Sequence, residues 1–302
     1  MSQRKKKGRD ISGILILDKP LNISSNHAVQ RVKRLYDAKK VGHTGSLDPL
    51  ASGVLPVCLG HATKVSSYLL ASDKAYQFTM KLGQTTATGD VEGEVVDERK
   101  VPDISLAELD SLISEYTGAI KQVPPMYSAL KHNGQRLYAL AREGKIVERP
   151  SRDVTIKSLK LISKEAEFLT FETLCTKGTY IRTLAEDLGK AIGCGAHVTF
   201  LRRLQTGPFH LTKSVTLSFL ESLRGDQPAL NAQLLSLDTA LLDYPAVCCD
   251  EKEKSDLGFG RQVKIPGLQE YDLVRLNDQE GKIFGLGKYA DTDQLAPVKI
   301  FI

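Results

Sequence analysis

The sequence predicts an α+β protein built on a large, mostly antiparallel sheet flanked by helices, and three observations carry that prediction. Stretches with the twofold alternation of a strand, Tyr76 to Leu82 (YQFTMKL) the clearest, interleave with stretches of helical apolar spacing. Two further strand-like runs, Val154 to Ile162 and Phe168 to Cys175, lie close enough in the chain to form a hairpin or meander pair. No unit of about 20 to 50 residues recurs, so a solenoid or propeller is excluded. At 302 residues the chain can bury a full core and divide into one large and one small domain.

Taken in order, Ile11 to Leu17 reads as an apolar strand ending at Asp18-Lys19-Pro20, where the proline holds Lys19 in an extended or turn geometry. Ser24 or Ser25 can cap a helix running to about Tyr36, with Val29 and Val32 on its inner face. Thr63 to Leu70 has helical spacing, its apolar face at Val65, Leu69 and Leu70. After Tyr76 to Leu82 come a polar segment and a strand at Glu94 to Val96, then a helix from Leu106 to Tyr116. Gln122 to Tyr127, with two prolines, is a stiff entry into a segment from Ala129 to Glu143 that reads as a helix or a helix pair broken near Gly134. Thr179 to Gly189 is a helix with Ile181, Leu184, Ala185 and Leu188 at core spacing, and Ala196 to Thr206 is a strand. Beyond Tyr244-Pro245 the character changes to short strand-like stretches at 262–265, 271–276, 282–286 and 298–302, a small β-rich module.

One stretch, Gly42-His43-Thr44-Gly45-Ser46-Leu47-Asp48-Pro49-Leu50-Ala51-Ser52-Gly53-Val54-Leu55-Pro56, stands apart. Its glycines and prolines argue against a regular helix or a central strand, while Leu47, Leu50, Val54 and Leu55 call for burial. Asp48 is its only formally charged residue. A rigid loop with apolar anchors is suited to hold a carboxylate in place, and an Asx turn before Pro49 would use the same residue types. Both readings stand on this pattern. Arg182 falls near the start of its helix, where the macrodipole disfavours a cation and a carboxylate partner would explain its presence.

The net charge of +5 is unevenly placed. Arg4, Lys5, Lys6, Lys7 and Arg9 carry five positives in a basic tail over residues 1–10, expected to be disordered, and the remaining chain is balanced. A second excess lies between Lys121 and Arg152, with seven Lys or Arg against Glu143 and Glu148. Such patches steer polyanions and contact phosphates. Five cysteines, none in a CxxC pair, suit a reducing compartment and argue against a disulfide framework or a zinc site. No secretory signal or long apolar run occurs, so a soluble, cytoplasmic protein is expected. A phosphate-binding P-loop, a dinucleotide glycine triplet, an HExxH motif and a GxSxG elbow are all missing. What remains is a loop carboxylate able to act as nucleophile or base, with Glu186, Asp187 or Asp90 as conceivable second acids for glycosidase-style pairing.

Four motifs in order sharpen this: LDKP at 17–20, GHTGSLDPLASGVLP at 42–56, KGTYIRTLAEDLG at 177–189 and GAHVTFLRRLQTGPF at 195–209. Together they resemble the bacterial tRNA pseudouridine-55 synthase family over roughly residues 11–245, with the last segment, 246–302, similar to the small PUA-like domain that some members carry. The resemblance implies a pseudouridine synthase fold with a basic, thumb-like RNA-clasping insertion at about 124–152. It implies isomerisation of uridine to pseudouridine at position 55 of the T-loop in tRNA, with no metal and no organic cofactor. It assigns to Asp48 the nucleophilic or otherwise covalent role, whether by attack on the ribose C1′, by addition to C6 of the base or by a glycal route that takes a ribose proton. Its ionic partner is Arg182, and Tyr76 stacks on the target base and helps remove the C5 proton. His43 would fill the space left by the flipped base, and Tyr180 and Leu201 would line the uracil pocket. Lys19, Pro20 and Gly42 would support the catalytic loop. Lys131, Arg142 and Arg149 would contact phosphates. The implied partner is the T-arm of tRNA, bound by a monomer with no membrane and no obligate protein partner. The competing expectation is a tRNA-binding or folding module in which modification is secondary.

Overall fold

The computed structural model describes residues 8–268, 270–291 and 293–301. The main body is a ten-stranded sheet. Its elements are β1 (Gly13–Lys19), α1 (Ser25–Leu35), β2 (Val41–His43), β3 (Ala51–Leu59), α2 (Ser66–Ala71), β4 (Lys74–Leu82), a small hairpin of β5 (Gln84–Thr86) and β6 (Val95–Glu98), α3 (Leu106–Glu115), β7 (Gly118–Gln122), a second hairpin of β8 (Lys131–His132) and β9 (Gln135–Arg136), α4 (Leu137–Arg142), β10 (Arg152–Glu165), β11 (Phe168–Cys175), α5 (Ile181–Ile192) and β12 (Ala196–Thr206). The sheet order is Val215–Thr216, β1, β3, β12, β4, β11, β10, β7. The pairings in this order are antiparallel, as the sequence predicts, except β3–β12 and the short edge pairing of β1 with Val215–Thr216, which are parallel.

The parallel seam between β3 and β12 positions the site. β3 and β12 pair only over Ala51 to Gly53 and Leu201 to Arg203, and the Asp48 loop enters β3 at that point. The two backbones approach so closely that a Cβ on Gly53 would lie 2.2 Å from the Arg203 carbonyl oxygen, and Gly53 has φ of +105°. Gly53→Ala is therefore expected to lower stability by about 2 kcal/mol or more, read from the denaturation midpoint. An unchanged midpoint would show that the seam can part.

Contrary to expectation, the second half of the glycine- and proline-rich stretch is a central strand: all nine residues of β3 are buried. Pro56 fits because of where it lies. On one side β3 pairs with β1 throughout; on the other it pairs with β12 up to Gly53 and with β2 from Val57. The Pro56 carbonyl faces the gap between them, accepting from the Thr44 N–H at 3.2 Å. The amide hydrogen that proline lacks would face the same gap, so no ladder bond is lost.

Helices α1, α3 and α5 cover one face of the sheet and share its main core with Leu17, Leu55, Phe78 and Phe171. On the opposite face Ile14, Ile16, Val54 and Cys58 pack with Val65 and Leu69 and with Ile283, Leu286 and Phe301 of the C-terminal module. Leu70, expected on the apolar face of α2, is instead 45% exposed. The C-terminal module has a five-stranded sheet rather than four strands. It adds Ala246–Cys248, extends the last strand back to Gln294, and contains a helix, Glu251–Gly258, opened by an Asp250/Glu253 capping box.

The segment from Ala129 to Glu143 is not a helix pair. It is a hairpin turning at Asn133-Gly134, both at positive φ, followed by the six-residue α4. Asn-Gly is the strongest short hairpin signal, and here it outweighs the helical spacing. Of the basic tail, residues 1–7 lie outside the described residues. Arg9 is held in place: it bridges to Ala38 and its guanidinium donates to Gln227. No described helix is long and apolar enough to cross a membrane.

Candidate active site

The loop carrying Asp48 is fastened from both sides. Ser24 caps α1, accepting from the His27 N–H at 3.1 Å, which frees Ser25 to turn inward. There the Ser25 hydroxyl donates to the Leu47 carbonyl at 2.9 Å and accepts from the Leu47 N–H at 2.7 Å. Ser25→Ala is expected to cost about 1–3 kcal/mol, the penalty for stranding buried backbone groups, with the Asp48 loop loosened first; hydrogen exchange at the Leu47 amide would report it. From below, the fully buried Lys19 ammonium donates to the carbonyls of Pro20 at 2.8 Å and Ile23 at 2.7 Å. Burial lowers this lysine to about 8, against the pull of Asp48. Gly42 pairs with Cys58 in β2, and a methyl there would touch only Thr63 at 3.9 Å, so packing does not demand glycine.

Arg182 meets Asp48 as the sequence argument required. Its Nη2 stands 3.0 Å from Asp48 Oδ2 and its Nη1 3.3 Å from Asp90 Oδ2. It also donates to the carbonyls of Thr88 at 2.8 Å and Tyr127 at 2.7 Å, so one nearly buried guanidinium ties α5 to three loops. Asp90 is in turn fixed by the Thr88 hydroxyl at 2.6 Å and the Glu92 N–H at 3.1 Å. Loss of solvation raises the Asp48 carboxyl above its ordinary value of 3.8; Arg182 and Lys19 oppose the rise, and Asp90 adds to it. Asp48 keeps 41% of its side chain open to the cavity, so the push is weaker than for a sealed carboxyl.

Two adjoining cavities share Asp48. The inner one, ≈ 290 Å³, is lined by Tyr76, Tyr180, Leu201, Lys74 and Arg203. It lies just below the usual range for ligand pockets, about 300–1,000 Å³. Tyr76 and Leu201 reach it from β4 and β12, and Tyr180 caps α5, its backbone gripped by Gln122 through bonds of 3.0 and 3.3 Å. The outer cavity, ≈ 590 Å³, is bordered by His43, Asn26, Asp90, Glu92, Arg136, Tyr138 and Arg142. Burial, with Arg203 and Arg136 nearby, keeps His43 below its ordinary value and so neutral.

Of the cations expected on phosphate, Lys131 and Arg142 are exposed, Arg142 stacking on Tyr138 at 5.7 Å. Arg149 differs: half-buried, it donates to the Pro124 carbonyl at 3.1 Å and ties the two ends of the insertion together. Arg136 on β9 lines the cavity and was missed by sequence reasoning, although it follows the Asn-Gly turn that could have located it. Asp90 was legible only as one acid among several. Glu186 and Asp187 do not line either cavity. Burial pushes Glu186 up to about 7, where it packs against the Gly89 turn.

The fold is that of the pseudouridine synthases. The chain is similar to a solved chain of a Cbf5-Nop10-Gar1 complex, with a TM-score of 0.75 and 26% identity, over 96% of this chain and 85% of that one. A second similar structure, an H/ACA ribonucleoprotein bound to a substrate RNA containing 2′-deoxyuridine, has a TM-score of 0.74 at 23% identity, covering 100% and 92% of the respective chains. Residues 33–181 match the model of the TruB family pseudouridylate synthase N-terminal domain, and residues 182–242 that of the tRNA pseudouridylate synthase B C-terminal domain. Curated relatives named tRNA pseudouridine synthase B, from Stutzerimonas stutzeri and Pseudomonas aeruginosa, are each 48% identical over 99% of both chains. The chain belongs to the TruB family of tRNA pseudouridine synthases.

Proposed function

We propose that this chain converts the uridine at position 55 of the tRNA T-loop to pseudouridine, with Asp48 as the group that engages the flipped nucleotide. The observation that carries this reading is the placement of Asp48: a carboxylate half open to a nucleotide-sized cavity, gripped by Arg182, with Tyr76 across from it and a basic hairpin over the mouth. The charge-assisted bond to Arg182 aims one carboxylate oxygen and leaves the other available for the reaction. Tyr76 offers a flat face to a base, Leu201 and Tyr180 close the slot, and neutral His43 stands where it can fill the gap left by an extruded base. Extrusion costs a few kcal/mol, which such a filler offsets in part. Lys131, Arg136 and Arg142 meet the phosphates, and the T-arm is bound by a single copy of the chain. The C5 hydrogen is lost in this isomerisation. Tritium release from 5-tritiated uridine in a T-arm stem-loop, against a stem-loop with cytidine at the target, is the direct test. No release from the uridine substrate would sink the reading, and release of free uracil would replace it with a hydrolase.

The chemistry requires ionised Asp48, so its raised carboxyl makes a pH prediction. Protonation removes the nucleophile; a raised value means that this happens at a higher pH than for a free carboxyl. The single-turnover rate should fall on the acid side with a midpoint above 3.8. Asp90→Asn removes a negative neighbour and should move that midpoint down. A midpoint that stays or rises would show that Asp90 acts on Asp48 only by holding Arg182.

A further inference from the structure

Arg203 is the largest fully buried side chain, 1% exposed, and forms no ion pair among the described residues. Its neighbour Arg202, on the opposite face of β12, is paired conventionally, with Asp18 at 2.7 Å and Ser52 at 3.0 Å. Arg203 instead donates Nε to the Val54 carbonyl at 2.6 Å and Nη2 to the Gly45 carbonyl at 3.1 Å. These carbonyls lie on either side of Asp48 in the chain. A guanidinium removed from water without a carboxylate is costly, and two carbonyls offset only part of that cost. The charge must serve something that faces it.

What faces it is Tyr76. The two residues are direct cross-strand partners between β12 and β4, and both line the inner cavity. Burial raises the Tyr76 phenol; the Arg203 charge is the main influence drawing it back, while Cys175 and Asp48 add to the rise. Of the other two cations lining that cavity, Lys74 is committed to the carbonyls of Leu70 and Ser72, and Arg182 to Asp48 and Asp90.

We propose that Arg203 is a positioning residue for the final proton transfer, holding the Tyr76 oxygen in place and stabilising it as the phenolate that takes the C5 proton. Once C5 has bonded to the ribose it carries both the sugar and its original hydrogen. A neutral phenol is a poor acceptor for that hydrogen. Burial keeps the resting Tyr76 protonated, so the acceptor is the minor fraction that has lost its proton to solvent; that phenolate accepts the C5 proton and becomes phenol again. The C5–H electron pair returns to the ring and restores the C5–C6 double bond. The proposal rests on the functional reading above, with Tyr76 as the acceptor.

The test uses the full chain carrying Arg203→Lys or Arg203→Gln, and T-arm stem-loops with hydrogen or deuterium at C5 of the target uridine. Thermal midpoint and stem-loop affinity establish that each variant is folded; the lysine variant, which keeps a cation near Val54, is the more conservative. The expected result is near-normal affinity with single-turnover pseudouridine formation slowed about 10- to 100-fold, as for loss of acid–base assistance. The C5 deuterium isotope effect should exceed that of the wild type, more so in Arg203→Gln than in Arg203→Lys. A wild-type rate, or a slow rate with no larger isotope effect, would overturn the proposal and leave Arg203 as loop support. Absence of pseudouridine from the wild type would sink the parent reading, whereas a normal wild type beside an isotope-insensitive Arg203→Lys would sink this one alone.

Discussion

Asp48→Asn is expected to bind a T-arm stem-loop about as well as the wild type while its single-turnover tritium release drops by roughly 10³-fold or more, the scale seen when a covalent group is deleted from a machinery that acts as a unit. Asparagine has nearly the same shape and its carbonyl oxygen can still accept from Arg182, so the 3.0 Å contact and the loop around it survive. What is lost is the anionic oxygen facing the cavity. Because burial already disfavours the charged form of Asp48, the variant should be no less stable than the wild type. Loss of affinity together with loss of rate would show that Asp48 builds the pocket rather than acts in it.

Arg182→Met should be the more damaging change to the fold. Arg182 and Asp90 are both nearly sealed from solvent, with side-chain exposures of 4% and 3%. Removing one partner of such a pair leaves the other as an uncompensated buried charge, at about 3–5 kcal/mol. The carbonyls of Thr88 and Tyr127 lose their donor at the same time. The denaturant midpoint should fall accordingly, and tritium release should cease because Asp48 is no longer aimed. Adding Asp90→Asn removes the stranded charge, so Arg182→Met/Asp90→Asn should recover part of the stability and none of the activity. If Arg182→Met were as stable as the wild type, the grip of this guanidinium on three loops would be ornamental.

Much of this architecture was legible in the sequence, and the reasons differ by element. β4 alternates so regularly that its buried and half-buried residues follow the pattern one for one. α1 and α5 begin within a residue or two of where capping and core spacing place them. A misplaced cation, Arg182, correctly signalled a carboxylate partner. The misreadings have physical causes too. Gly53 and Pro56 look like strand breakers, yet each sits where β3 needs it, one at a close backbone approach and the other at a gap between neighbours. At residues 131–136 a hairpin formed because the Asn-Gly turn closes two short strands that helical spacing would have merged. Arg149 looked like a free surface cation because nothing in its neighbourhood of the chain reveals Pro124 waiting across the base of the insertion.

By itself the sequence determined the local elements, the rigid loop around Asp48, the basic insertion and, through four ordered motifs, the family. These are properties of neighbouring residues, whose torsions, alternation and charge are set within a turn or a strand. Tertiary structure alone decided which acids and cations meet: Asp90 rather than Glu186 or Asp187 behind Arg182, Ser25 rather than Ser24 on the loop, and Arg203 turned into the cavity beside its cross-strand partner Tyr76 while Arg202 turns out to Asp18. Each of these choices depends on strand register and on which face of a sheet a side chain occupies. A shift of one residue would reverse the face, and only the packed core selects the register.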